Sequence, residues 1–256
     1  KVGFEDVAAA MRDHYEGTPL SLDKDIAQGI WDSPYRPTPL KFEVDGKQYF
    51  NERPISTQQT GFSYIAQLRS WLPREIGGIL WFGNDDGNMV AYVPIYCSNT
   101  ERAECFNTPS ADAVTFSDKS AFWVCNWVSN MVYPRYSQLF PALKEVRDSL
   151  DNAFLAAQKG VEAKAESLYA TDKAAAVKYL NDYSVQKSDE MIARWRELAI
   201  YLIVKFNDMT VKPEKDGKFL RTSTGLGERV KRTGYSDYFK RELVKQTGDK
   251  FAVPNK

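Results

Sequence analysis

The strand-length run Ile79-Leu80-Trp81-Phe82, bracketed by Gly77-Gly78 and Gly83, carries large apolar side chains at every position. Successive side chains of a strand point to opposite faces, so this run needs apolar neighbours on both sides of its sheet. It argues against a sheet with one solvated face and predicts one that is covered twice. The surrounding residues extend the β reading from Lys41 to Tyr96. Phe42 and Val44 alternate with charges, Asp45-Gly46 is a hairpin turn signal, and Gln48-Tyr49-Phe50 resumes the strand. Ile55 to Gln58, Gly61 to Leu68, Gly77 to Phe82 and Met89 to Tyr96 follow as strands of a meander, the last two separated by the turn-rich stretch Gly83 to Asn88.

The period then changes. Ser120 to Tyr133 carries Phe122, Trp123, Trp127, Val128 and Met131 at helical spacing, too aromatic to lie exposed, and Pro134 closes it. Leu143, Val146, Leu150, Phe154, Ala157 and Val161 mark the stripe of one long helix, and Met191, Trp195, Leu198 and Leu202 that of a second. Thr171 is the expected N-cap between them, with Asp172 favouring the dipole of the helix it opens. Short helices are expected over Phe4 to His14 and Tyr235 to Val244, and an irregular segment over Leu20 to Pro39. The fold class is therefore α+β, antiparallel strands followed by a long helical hairpin.

Lys plus Arg and Asp plus Glu balance at 34 each, so no net field selects nucleic acid or an anionic membrane. The basic residues from Lys212 to Arg232 are interrupted by Glu214, Asp216 and Glu228 and read as a solvated face. Apolar runs such as Leu198 to Val204 fall far short of the ~20 residues of a spanning helix. One histidine and three cysteines leave no usual zinc set, and a structural metal is not expected. Cys97, Cys105 and Cys125 are expected as free thiols, Cys125 buried and inert. His14 has no Cys or Ser motif near it and reads as a structural or solvated helix-end histidine. Asp85-Asp86 reads as a turn pair, chosen for local backbone hydrogen bonds. Gly225-Leu226-Gly227 lacks the strand and helix a phosphate loop requires.

The most informative segment runs from Asn51 to Ser63. It sets Arg53 beside short hydrogen-bonding side chains at a strand entry, a chemistry suited to the carboxylate or amide of a small polar ligand. The alternative is that these groups satisfy a strand edge.

The blocks Asn51-Glu52-Arg53-Pro54-Ile55-Ser56-Thr57-Gln58-Gln59-Thr60-Gly61 and Gln67-Leu68-Arg69-Ser70-Trp71-Leu72-Pro73 resemble PepD-like dipeptidases. So do Asp13-His14-Tyr15-Glu16-Gly17-Thr18, Gly78-Ile79-Leu80-Trp81-Phe82-Gly83 with Asp85-Asp86, Pro94-Ile95-Tyr96 and Ser120-Ala121-Phe122-Trp123-Val124, in the same order. The resemblance implies a cysteine dipeptidase of the N-terminal-nucleophile class, built as four layers, α-β-β-α, without metal or organic cofactor. It implies a thiol at the mature N-terminus whose own α-amino group carries the proton. The chain begins at Lys1-Val2-Gly3, so that cysteine is expected upstream and the chain alone is expected not to hydrolyse peptides. Residues 1–137 are then the C-terminal part of the nucleophile-hydrolase sheet domain, and 138–256 the helical hairpin and tail packed on it.

The partners implied are a dipeptide substrate and the N-terminal part of the same protein or a companion chain. A homo-oligomer is compatible with the resemblance; nucleic acid and membrane are not expected. Arg53 is the first substrate-binding or supporting residue, its guanidinium suited to charge near the thiolate or a peptide terminus. Ser56, Gln59 and Arg69 come next. The alternative function is a non-catalytic binding or scaffold domain that retains the fold.

Overall fold

A computed structural model of the chain describes residues 2–107 and 111–254. It is α+β, with antiparallel strands and long helices, and it divides into two compact units that are each discontinuous in sequence. The first comprises Lys1–Asp13, Pro54–Asn130 and Pro141–Ile200; the second comprises His14–Arg53, Met131–Phe140 and Tyr201–Lys256.

The first unit opens with helix α1 (Phe4–Met11). The helix stops at Met11, short of the expected His14, and Gly3 starts it with Asp6 Oδ2 accepting the Gly3 N–H at 2.8 Å. In the second unit β1 (Lys41–Val44) and β2 (Lys47–Phe50) form the expected hairpin. Its two turn residues, Asp45 and Gly46, have φ of 50° and 76°, the left-handed geometry that makes Asp-Gly a hairpin signal.

The central sheet of the first unit has the order β3-β4-β5, all antiparallel: β3 (Phe62–Leu68), β4 (Gly78–Asn84) and β5 (Val93–Tyr96). A four-residue helical turn, α2 (Arg74–Gly77), joins the first two. Two expected strand segments are not strands. Ile55–Gln58 is a loop, because the Ser56 N–H is taken by the Asp13 carbonyl at 3.1 Å and the Thr60 N–H closes a turn on Thr57 at 3.0 Å. Met89–Tyr92 continues the turn after β4, the Met89 N–H bonding back to the Asp86 carbonyl at 2.8 Å.

One face of this sheet is packed. Ile65, Trp81, Ile79 and Tyr96 are buried on it, Phe4 of α1 meets Trp81 with ring centroids 4.8 Å apart, and Gln67 takes the Trp81 indole N–H at 3.1 Å. The other face carries Phe62, Tyr64 and Leu68 of β3, which are 58%, 54% and 76% exposed. On the same face Phe62 and Phe82 stack at 6.0 Å, and only Phe106 leans over Phe82 from the loop after β5 among the ring contacts described. The doubly apolar run thus has cover on one side and a broad apolar surface on the other.

Helix α3 (Ala121–Val132) forms over the expected residues, but the face it buries is Ala121, Val124, Cys125, Val128 and Val132; of the aromatic residues expected to be covered, Trp127 is 38% exposed and Phe122 and Trp123 are half-buried. Helices α4 (Tyr136–Tyr169) and α5 (Lys173–Phe206) have 34 residues each, ~50 Å at 1.5 Å per residue. They run antiparallel. Phe154 meets Lys187, Lys164 meets Tyr179, and Tyr169 meets Lys173, so partner positions climb on one helix as they fall on the other. The cap of α5 is Asp172 rather than Thr171: its Oδ1 accepts the Ala175 N–H at 3.0 Å, while the Thr171 hydroxyl donates back to the Leu168 carbonyl at 3.2 Å and closes α4. Asp172→Ala is therefore expected to cost about 1 kcal/mol and Thr171→Ala less, as read by urea unfolding of both variants.

In the second unit, β6 (Thr210–Val211) pairs with β9 (Lys231–Arg232), β7 (Glu214–Lys215) pairs with β8 (Lys218–Phe219), and α6 (Asp237–Thr247) follows, capped by Ser236 through the Phe239 N–H. Among the described residues no helix is long and apolar enough to cross a membrane.

Candidate functional site

A buried polar cluster of the first unit surrounds the turn that leaves β4. Asp85 and Asp86 form the turn as their residue type suggests: the Asp86 N–H bonds the Asp85 carboxylate at 2.8 Å, and the Asn88 N–H bonds Asp86 Oδ1 at 3.2 Å. Yet both acids are buried, at 2% and 0% exposure, where a solvated turn would leave them wet. Asp85 Oδ2 accepts the Ser129 hydroxyl of α3 at 2.7 Å, and Asp86 accepts the Ser56 hydroxyl. Burial, which disfavours the charged form, pushes the Asp85 carboxyl up to about 7; the Ser129 and Asp86 hydrogen bonds oppose the shift, and the Asp86 charge adds to it. A carboxyl there exchanges a proton near neutrality.

Two arginines hold the same turn by its backbone. Arg12, just beyond α1, donates to the carbonyls of Gly87 at 2.9 Å and Val90 at 3.1 Å and pairs with Asp151 of α4 at 2.7 Å. Asp151 also accepts the Tyr92 N–H at 2.9 Å. Arg147, one turn earlier on α4, donates to the carbonyl and side-chain oxygen of Asn88, both at 2.8 Å. Arg147 and Asp151 therefore occupy the buried stripe of α4 beside the leucines. Burial raises the Asp151 carboxyl despite the adjacent Arg12 charge, so desolvation outweighs the attraction. Gly87 fits only without a side chain, since a Cβ would lie 2.8 Å from the Tyr92 hydroxyl, which is itself 3.0 Å from Ser63 Oγ. The turn is a rigid platform at the end of β4, fixed by α1, α3 and α4.

The residues singled out from the sequence are distributed among different surroundings. Ser56 joins the acid pair. Gln59 is exposed, its side-chain oxygen taken by Thr57 within the same loop. Arg69 is buried; it donates to the carbonyls of Gly77 at 3.3 Å and Ile76 at 3.2 Å and pairs with Glu162 of α4. Glu162 also receives Gln158 at 2.9 Å, so Arg69 ties the β3–β4 connection to the hairpin. An open depression of about 680 Å³ lies beside it, lined by Leu68, Arg69, Ser70, Arg74, Glu75 and Cys97. Arg53 belongs to the second unit, where it is exposed and its carbonyl accepts the Tyr15 hydroxyl at 2.8 Å.

His14, also in the second unit, is neither solvated nor at a helix end. It is 1% exposed, its ring 4.8 Å from Tyr35 and 6.4 Å from Tyr136, and Glu16 takes both its backbone N–H at 2.7 Å and its Nδ1 at 3.0 Å. The three cysteines are free. Burial raises Cys105 to about 12 and Cys125 well above the ordinary thiol value, so neither is poised as a thiolate. The cluster around Asp85, missed as a buried site, had one sequence signal: its acids stand in a block that carried the family resemblance. The arginines that hold it had none, because their partners are remote in the chain.

Residues 1–149 match a family model described as Peptidase family C69. A probable dipeptidase B of Streptococcus pyogenes serotype M1 is 23% identical over 200 residues, which cover 78% of this chain and 38% of the relative. The chain thus spans well under half the length of the curated relative it matches.

Proposed function

We propose, on the premise that the chain belongs to peptidase family C69, that it supplies one sheet and its helices to a cysteine dipeptidase whose nucleophile lies on polypeptide outside this sequence. The thiol attacks the scissile carbonyl of a dipeptide, and the α-amino group of the same cysteine, with an unperturbed pKa of about 7.7–8.0, carries the proton. No separate histidine base is required, in keeping with a lone His14 enclosed by tyrosines. Within the second unit Arg53 offers directional binding for a peptide terminus; Ser56, Gln59 and Arg69 keep a supporting role within the first unit.

The observation that carries this reading is the apolar face of the β3-β4-β5 sheet. Helices cover one side, and Phe62, Tyr64 and Leu68 stand exposed on the other. Exposed apolar surface of this breadth marks an interaction site, and a second sheet stacked about 10 Å away satisfies it. That stacking yields the α-β-β-α arrangement of an N-terminal-nucleophile hydrolase.

The test joins the chain to the polypeptide encoded upstream of Lys1, or co-produces the two. The pair is expected to hydrolyse dipeptides, and changing its first cysteine to Ala abolishes this. Tyr64→Lys with Leu68→Lys is expected to reduce activity by a factor of about 100 or more, since two ammonium groups would enter an apolar interface, while the chain's own helical circular dichroism is unchanged. Hydrolysis by the chain alone, or full activity with both lysines in place, refutes the reading. An inactive pair with its first cysteine intact favours a scaffold that has kept the fold.

A further inference from the structure

The β1–β2 hairpin is exposed along its whole length, on both strands and both faces. Phe42 and Val44 are 45% and 50% exposed, and Tyr49, stacked on Phe42 at 5.7 Å, is 41% exposed. A two-stranded hairpin with no covered face is marginal by itself. Its backbone pairing shows which strand groups remain available. The Asn51 N–H bonds the Leu40 carbonyl at 2.9 Å, and Val44 faces Lys47 across the two-residue turn. By alternation Leu40, Phe42 and Val44 direct their peptide groups toward β2, and Lys41 and Glu43 direct theirs to the open edge.

Charges on an open edge ordinarily deter pairing with another strand. Here their signs alternate, and that makes one register special. Antiparallel pairing of two β1 edges about Phe42 sets Lys41 of each copy opposite Glu43 of the other, in the positions whose peptide groups are free to bond. Pairing centred on Lys41 or on Glu43 would oppose like charges instead. Glu43 meets only a neutral group, Gln48, within its own hairpin among the hydrogen bonds described.

We propose that β1 is a self-pairing edge, and that two copies of this chain join their hairpins across a two-fold axis at Phe42 into a four-stranded antiparallel sheet. The two Lys41–Glu43 pairs lie on one face, and the two Phe42 and two Tyr49 rings gather on the other. The contact is independent of the dipeptidase reading and of the apolar sheet face in the first unit. Strands of four residues cover far less than the ~1,600 Å² of a standard interface, so the association is weak and concentration-dependent.

A cross-link reads such a contact directly. Phe42 would face its copy as a non-hydrogen-bonded pair, with Cα atoms about 4.5 Å apart, within reach of a disulfide. In a Cys97→Ser background, which removes the exposed native thiol, Phe42→Cys is expected to form a covalent dimer under mild oxidation; Phe50→Cys, on β2, is the control and is expected to form little. Adding Glu43→Lys to Phe42→Cys is expected to lower the dimer yield about tenfold, because the symmetry turns both ion pairs into repulsions, and Lys41→Glu with Glu43→Lys restores it. Equal cross-linking at positions 42 and 50, or a yield that ignores these charge changes, overturns the proposal. The hairpin is exposed, so folding of each variant is verified by its unchanged circular dichroism.

Discussion

Asp151→Ala is expected to destabilise the protein by about 3–5 kcal/mol. The change strands the Arg12 guanidinium, only 13% exposed, without its counter-ion and leaves the Tyr92 N–H without its acceptor. Arg12→Met is expected to cost a similar amount, because the Gly87 and Val90 carbonyls lose their donor and the buried Asp151 charge loses its ion-pair partner. Yet burial raises the Asp151 carboxyl even with Arg12 beside it, so the pair itself contributes little beyond its own desolvation cost. The double variant Arg12→Met with Asp151→Ala is therefore expected to lose at least about 1 kcal/mol less than the sum of the single losses. Denaturant unfolding of the four proteins at one pH measures this; strict additivity would show that the two residues act separately.

Asp85→Asn is expected to stabilise the protein by about 1–4 kcal/mol at pH 8 and to change little at pH 4 and below. Burial raises this carboxyl from 3.8 to about 7 in the folded protein, so between those values the folded state holds a proton that the unfolded chain releases. Stability from this group is full below about pH 4 and is lost as pH rises through about 7. The amide is uncharged throughout and escapes the loss. It also fits the hydrogen bonds: its oxygen accepts the Asp86 N–H, and its NH₂ meets Ser129, whose hydroxyl turns to the Asn126 carbonyl, already 3.2 Å away. Thermal unfolding from pH 4 to 9 decides this; a wild-type curve that stays flat through pH 7 would contradict it.

The parts of the fold that follow from local pattern were legible in the sequence. Asp45-Gly46 marked the hairpin, the aromatic spacing marked α3, and two long stripes marked α4 and α5. The double apolarity of Ile79 to Phe82 pointed to a sheet covered on both sides, whereas β3-β4-β5 is covered on one face and leaves Phe62, Tyr64 and Leu68 exposed on the other. Partnerships between remote residues were not legible. Ile55 to Gln58 has strand composition, but Ser56 is drawn to Asp13 and Asp86, and no periodicity records such a pull. Arg147 and Asp151 interrupt an apolar stripe and look solvated until Asn88 and Arg12 are placed against them. His14 was ascribed to a helix end because the three residues after Met11 continue a helical composition, whereas Glu16 captures its backbone N–H and turns the chain away.

The bond between Arg12 and Asp151 joins residues 139 positions apart. At ribosomal rates of roughly 5–20 residues per second, the first helix waits on the order of 10–30 s after its own synthesis before the carboxylate that anchors it has been made. Through that interval the nascent chain carries an arginine without its acid and a β4 turn without the clamp from α4, so α1 settles late. Synonymous codons that slow translation between these positions would lengthen the vulnerable period without altering one atom of the finished protein.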